Sequence, residues 1–212
     1  MTTAVQTPDA EILINTGCVH CPAVLAGLSQ LVKDGLIGRL QVINVGKHPD
    51  EAQARNARSV PWTRIGPFTL QGSYTPTQLR EWAERAASGE GMAEYFSELL
   101  QNQQIEQALA LVRQTPDLLQ TLLQLLADLD TPMGVRIGIG AMFEDLAEHD
   151  GLAPALAGLV ELTRSPESQV RADAAYYIGL LGTKAAREHL QPLLQDPNHE
   201  VREIASEALE QD

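Results

Sequence analysis

The sequence predicts an α/β domain followed by an all-α repeat domain, and three observations carry that division. Strand-forming runs are confined to the part before Gly89. Beyond Met92 they give way to short helical runs in which Val-Arg recurs at Val135-Arg136, Val170-Arg171 and Val201-Arg202, with spacings of 35 and 31. The charge changes sharply at the same place: up to Gly89, 8 Lys+Arg stand against 7 Asp+Glu, a net of +1, and from Glu90 onward 7 stand against 21, a net of −14. Those two values sum to the −13 of the whole 212-residue chain. The expected layout is a loose tail over 1–9, an α/β domain over 10–88, a linker at 89–91 (Gly89-Glu90-Gly91) and a helical domain over 92–212.

In chain order, Glu11 to Asn15 reads as a buried strand. From Pro22 the apolar residues Val24, Leu25, Leu28, Leu31 and Val32 fall at helical spacing, and Asp34-Gly35 ends that helix. Leu40 to Val45 is a second strand, and a βαβ unit of this length makes the pair parallel. A short helix is expected over Glu51 to Arg58, then Val60-Pro61, then a hairpin of Thr63 to Ile65 and Phe68 to Leu70 around Gly66-Pro67. Thr75-Pro76-Thr77-Gln78 matches a capping box and opens a helix carrying Leu79, Trp82, Ala83 and Ala86.

The chemistry-bearing stretch is Gly17-Cys18-Val19-His20-Cys21-Pro22, which holds both cysteines and sits where the first strand ends and the first helix begins. Thiols spaced Cys-x-x-Cys at a helix start can close a disulfide with little backbone movement. Backbone N–H groups and the helix dipole there favour an anion and lower a thiol pKa from its usual ~8.5. Cys18 would be the attacking thiolate and Cys21 the resolving thiol. His20, between them, can stabilise the thiolate of Cys18, which makes the disulfide more oxidising; the bland alternative is an exposed spacer. Tetrahedral zinc needs four ligands. Cys18, Cys21, His20 and His48 are the only nearby donors, no second pair stands at finger spacing, and no metal site is expected. Pro22 in place of a histidine excludes haem attachment.

The order β-α-β-α-β-β-α, with Cys18-Val19-His20-Cys21-Pro22 after the first strand and Val60-Pro61 before the hairpin, resembles the thioredoxin-like fold in its small, glutaredoxin-sized form, over roughly Ala10 to Ala87. The resemblance implies that Cys18 is the nucleophilic cysteine, Cys21 the resolving one and Pro61 a cis-proline facing the disulfide, with Val60 and Trp62 beside the substrate. Two departures stand out. Thr16-Gly17 occupies the place where a tryptophan often precedes the first cysteine, and Trp62 follows the proline where a small polar residue is frequent. The indole can shape substrate access, or it can pack on the helical half.

In the second part, each recurring Val is followed by apolar residues at +4, +7 and +8: Ile139, Met142, Phe143; Ala174, Tyr177, Ile178; Ala205, Ala208, Leu209. A cap residue and a proline precede each helix: Thr131-Pro132, Ser165-Pro166 and Asp196-Pro197. Partner helices are expected over Leu152 to Thr163 and Lys184 to Leu194, and a more divergent pair over Met92 to Gln114 and Pro116 to Leu129. Such helix pairs resemble HEAT repeats of the short bacterial type, from about Leu129 to the end. The resemblance implies a stacked solenoid whose concave face binds protein. Arg136, Arg171 and Arg202 are expected to tie neighbouring repeats through acidic partners.

These readings predict a thiol–disulfide oxidoreductase acting on protein disulfides, with a repeat domain that docks partners. The alternative is a redox-sensing scaffold in which the repeats bind a partner and the cysteine pair only regulates. No cofactor beyond the Cys18–Cys21 disulfide is expected, and no nicotinamide or flavin fingerprint is present, so a separate thiol or reductase would supply electrons. The acidic half excludes nucleic acid and anionic membranes as partners and fits a basic protein partner, or solubility alone. The polar start lacks the basic-then-apolar form of a signal peptide, and no apolar stretch reaches the ~20 residues that span a bilayer, which predicts a cytoplasmic protein.

Overall fold

The computed structural model describes residues 7–210, and its contacts divide the chain into two compact units, with the boundary in the chain between Gly91 and Met92. The first unit is built on a mixed sheet of β1 (Ala10–Ile14), β2 (Leu40–Asn44), β3 (Trp62–Ile65) and β4 (Phe68–Gln71) in the order β2-β1-β3-β4. The connection through α1 (Cys21–Lys33) makes β1 and β2 parallel, while β3 runs antiparallel to β1 and forms a hairpin with β4.

Alternation along the strands gives the sheet two different faces. One carries Ile12, Ile65, Phe68 and Leu70, all under 2 % exposed, and meets α1 and α3 (Pro76–Ser88), with the Phe68 ring 4.8 Å from that of Trp82. The other carries Leu13, Ile43 and Trp62, covered by Ala52 of α2 (Pro49–Ala54) and by Ala57 and Val60. On that face the carboxylate of Glu11 lies buried, taking Arg55 at 2.5 Å and Arg64 at 3.0 Å. Arg55 also reaches Glu51, so one ion network fastens α2 to the sheet.

Residues 1–6 of the expected tail lie outside the described residues. Pro8 and Asp9 belong to the fold: Pro8 is buried, its carbonyl accepts from Gly38 N–H at 2.9 Å, and that of Asp9 from Gly66 N–H at 3.0 Å. The capping box at Thr75 forms in both directions, Gln78 N–H to Thr75 Oγ1 and Thr75 N–H to Gln78 Oε1.

The second unit is helical: α4 (Met92–Gln101), α5 (Ile105–Gln114), α6 (Leu119–Ala127), α7 (Met133–Glu148), α8 (Leu156–Leu162), α9 (Ser168–Leu180), α10 (Lys184–Leu190) and α11 (His199–Glu210), with 3₁₀ turns at Pro116–Leu118, Ala153–Ala155 and Gln191–Gln195. The repeated face is its core: Val135, Ile139, Met142, Phe143, Val170, Ala174, Ile178, Val201 and Ala205 are all 0–1 % exposed.

Several boundaries differ from the sequence reading. The helix expected over Met92 to Gln114 is two helices, because Gln103 adopts φ 58° and the chain reverses with Gln104 N–H on Leu99 O and Gln103 N–H on Leu100 O. The same left-handed closure ends α2 at Asn56 (φ 51°), short of the expected Arg58, and ends α7 at Asp150 (φ 58°). After α1, α3 and α9 the left-handed position is instead held by a glycine, Gly35, Gly89 and Gly182, the residue that signals a stop in sequence. Thr131-Pro132 directly precedes α7, with Pro132 at its N-cap, but the other two cap-and-proline pairs lie a few residues upstream of their helices. Ser165 Oγ accepts from Glu167 N–H, Asp196 Oδ1 from Asn198 N–H, and Asn198 Oδ1 in turn from Glu200 N–H, so turns precede α9 and α11.

Candidate functional site

The strand register brings the two predicted motifs together. Leu13 pairs with Trp62 across β1 and β3, so the residues that enter β3 lie opposite the residues that leave β1. Pro61 therefore stands beside the loop that carries Cys18. The Val60–Pro61 peptide bond is cis, Pro61 is buried, and its carbonyl accepts from Gly72 N–H at 2.9 Å, just past the end of β4. Cys18 Sγ lies 3.8 Å from the carbonyl oxygen of Val60.

The loop leaves β1 through Asn15 and Thr16. Gly17 takes φ 84°, a left-handed conformation that disfavours other residues, and nothing lies within 4 Å of where its Cβ would be. Cys18 N–H then donates to Asn15 O at 3.2 Å and closes the turn into α1. Across the parallel pair, Asn44 Nδ2 donates to Thr16 Oγ1 at 3.3 Å and Asn44 Oδ1 accepts from Gly46 N–H at 2.9 Å. The site thus sits at the carboxyl ends of β1 and β2, at the point where the chain crosses one way to β2 and the other way to β3.

Cys18 and Cys21 are joined by a disulfide, with Cα atoms 5.5 Å apart. The two sulfurs have unequal surroundings. Cys21 is buried at 4 % exposure in the first turn of α1, while Cys18 is half-buried outside that turn. Cys21 N–H donates to Cys18 Sγ at 3.1 Å. That amide is an unpaired donor of the helix start, so the dipole end of α1 points at the Cys18 sulfur. Of the two sulfur-bearing residues Cys18 is the more exposed, with Val19 (82 % exposed) and the exposed His20 beside it in the chain. His20 occupies the helix N-cap position without a side-chain capping bond.

Trp62 is a correction. Its indole is 3 % exposed and packs with Leu13 and Ile43, with Val45, Ala52, Ala57 and Val60 around it. The alternation of β3 turns the side chain into the core, so Trp62 braces the segment that carries Pro61 and offers substrate no indole surface. Val60, half-buried, presents its backbone carbonyl at the site. The Glu11–Arg55–Arg64 network behind this cluster escaped the sequence reading; the available signal was a glutamate between Ala10 and the apolar run Ile12-Leu13-Ile14, inside the predicted buried strand. Among the described residues, no three His, Cys, Asp or Glu side chains gather in a metal-holding group, and no helix is long and apolar enough to cross a membrane.

In the helical unit the recurring arginines share one arrangement. Arg136 Nη1 donates to Leu126 O and Asp128 O, Arg171 Nη1 to Ser165 O and Pro166 O, and Arg202 Nη1 to Asp196 O and Pro197 O. Each closes the turn before its own helix. Two also reach a carboxylate in the next repeat: Arg136 takes Asp173 at 2.5 Å, and Arg171 holds Asp196 in a fork of two 2.8 Å bonds. The Arg171 fork, with the N–H of Asn198 behind it, holds the Asp196 carboxyl below the usual carboxylate range.

A two-unit chain is thus defined, a mixed α/β unit with a disulfide of a half-buried and a buried cysteine after its first strand, and a unit of stacked helices. The family model for HEAT repeats matches residues 156–211, from α8 through α11. No curated protein matches the chain.

Proposed function

We propose that residues 10–88 form a thioredoxin-like domain acting as a thiol–disulfide oxidoreductase on protein disulfides, and that the helical unit docks its protein partners. The observation that carries this reading is the meeting of Cys18 Sγ with the Val60–Pro61 segment on one side and the Cys21 amide at 3.1 Å on the other. In the reduced pair, that amide and the end of α1 stabilise a thiolate at Cys18. The thiolate attacks one sulfur of a substrate disulfide. A mixed disulfide forms on Cys18 and the other substrate sulfur leaves as a thiolate. Cys21 then loses its proton, attacks Cys18 Sγ, releases the second substrate thiolate and regenerates the Cys18–Cys21 disulfide. Two electrons pass to the substrate, and a separate thiol or reductase returns them; a reducing cytoplasm is the compartment this direction fits. Val60 and Pro61 offer the substrate chain a fixed backbone edge beside Cys18, and His20 stands exposed at the helix start, where its imidazole is close in the chain to the thiolate.

The test is trapping with the full chain carrying Cys21→Ser. Without the resolving thiol, the mixed disulfide on Cys18 persists, and a discrete set of disulfide-linked proteins should be recovered from a native lysate and released by dithiothreitol. The doubly substituted chain, Cys18→Ser with Cys21→Ser, should recover none. Equal recovery by both would overturn the mechanism. A second reading, a redox-sensing scaffold, gains weight from the exposed apolar residues of the helical unit; partner affinity that differs between the oxidised and reduced chain, without turnover, would favour it.

A further inference from the structure

Six large hydrophobic residues are exposed among the described residues, and four lie in the helical unit: Leu129, Met133, Ile137 and Tyr176. Three of those four line one groove. Met133 (63 % exposed), Ile137 (66 %) and Gly140 of α7 form one wall, and Gln169, Asp173 and Tyr176 (42 %) of α9 form the other. The groove holds about 350 Å³, room for a few aliphatic side chains. Gly140 keeps it open, since a Cβ there would come within 3.2 Å of the Tyr177 hydroxyl at the floor. Apolar side chains gathered in this way, and not scattered singly, mark a docking surface.

Its charge names the occupant. The one cation lining the groove, Arg136, is committed to Asp173 and to two backbone carbonyls. Glu144 stands at the rim, accepting from the Tyr176 hydroxyl at 2.8 Å, and Glu148 follows one turn later on the exposed side of α7. The unit around it carries 7 Lys+Arg against 20 Asp+Glu over residues 92–212, a net of −13. We propose that the α7–α9 groove binds a basic amphipathic segment of another protein, with aliphatic side chains seated between Ile137 and Tyr176 and Lys or Arg directed to Glu144 and Glu148. This rests on the reading of the helical unit as a docking unit, and it is independent of the chemistry at Cys18.

The test uses the full chain and a fluorescently labelled 18-residue helical peptide of Leu and Lys. Two companions accompany it, one with Leu replaced by Ser at equal charge, and one with Lys replaced by Glu. Binding is read by anisotropy at about 0.15 M salt, where long-range attraction between exposed charges is screened beyond ~8 Å. The Leu/Lys peptide should bind, and both companions should bind at least about tenfold more weakly. Met133→Ser with Ile137→Ser should weaken the Leu/Lys peptide about tenfold or more, as expected for loss of a central apolar anchor. Glu144→Gln with Glu148→Gln should weaken it severalfold, and Glu207→Gln on α11 should leave it unchanged. These positions are exposed, so the variants should keep the helical signal and unfolding midpoint of the parent. Unchanged binding by the Met133/Ile137 variant, equal binding of the Glu peptide, or absence of binding by the parent chain would each overturn the proposal. So would concentration-dependent dimerisation abolished by Ile137→Ser, which would make a second copy the occupant. Introducing Ile137→Ser into the Cys21→Ser trap separates the two readings. Failure of the peptide test with an unchanged trapped set removes this groove and leaves oxidoreductase action intact.

Discussion

Replacing Cys18 with serine should abolish catalysed disulfide exchange, with a loss on the order of 10³-fold or more, the scale of deleting a covalent nucleophile. The reason lies in the unequal placement of the two sulfurs. Cys18 is half-buried and receives the Cys21 amide, and Cys21 is enclosed in the first turn of α1. On the proposed mechanism, Cys18 is therefore the sulfur that exchanges with an outside sulfur. Cys21→Ser should therefore behave differently: the first exchange still occurs, at a rate within about tenfold of the parent, and turnover stops at the mixed disulfide. Reduction of a small protein disulfide, followed through the initial burst and then the steady state, separates the two. A burst retained by Cys18→Ser, or steady turnover retained by both variants, would reverse these assignments.

The second large effect is on stability, in the helical unit. Arg171→Ala should cost about 3–5 kcal/mol, because it strips a buried carboxylate of its partner and also frees two carbonyls of the turn before α9. Asp196 is 5 % exposed at its side chain and Arg171 11 %, so water replaces the fork poorly. Asp196→Asn should cost less, since the amide oxygen can still accept one bond from the arginine, which keeps its two bonds to the carbonyls of Ser165 and Pro166. The pair also predicts a pH dependence. Asp196 has a folded pKa below its unfolded value of ~3.9, so the folded state prefers the charged form more than the unfolded chain does. Its contribution is full above the unfolded value and is lost as pH falls through the folded one. Acid unfolding of the helical unit below about pH 4 should thus be steeper in the parent than in Asp196→Asn. Hydrogen exchange of the α9 and α11 amides reads this unit separately from the first. Equal acid slopes in the two proteins would show that Asp196 does not supply the dependence.

What could be read in the sequence followed from strictly local chemistry. The strand runs, the capping box at Thr75 and the Val-Arg period each appear within a few residues, and each has its counterpart in β1 to β4, α3 and the core faces of α7, α9 and α11. The period pointed to Arg136, Arg171 and Arg202 as ties between repeats; Arg136 and Arg171 reach a carboxylate in the next repeat, while Arg202 holds the carbonyls of the turn before α11. Two kinds of feature could not be read. Helix ends at Asn56, Gln103 and Asp150 take a left-handed residue that is not glycine, so the strongest stop signal is absent. The direction of the Trp62 side chain depends on the parity of β3 relative to β1, which is fixed by Leu13↔Trp62 pairing and leaves no mark in composition. The Glu11–Arg55–Arg64 network is likewise a product of register, joining residues 44 and 53 positions apart. At the site itself, Cys18, Cys21 and Pro61 could be picked out from their motifs, but the contact between Cys18 and Val60 spans 42 positions and comes only from the sheet.

The measurement that tests the central claim most directly is a redox titration of the full chain against glutathione buffers, read by the mass added when free thiols are alkylated. A thiolate stabilised at the end of α1 predicts one reversible two-electron transition, with two alkyl groups gained together. The midpoint should lie between about −270 mV and about −120 mV, the span from reducing to oxidising members of the thiol–disulfide proteins. Either Cys→Ser variant should lose the transition. A pair that stays oxidised well below that span would be a structural staple, and a pair that stays reduced throughout it would be no disulfide exchanger; both results would contradict the assignment.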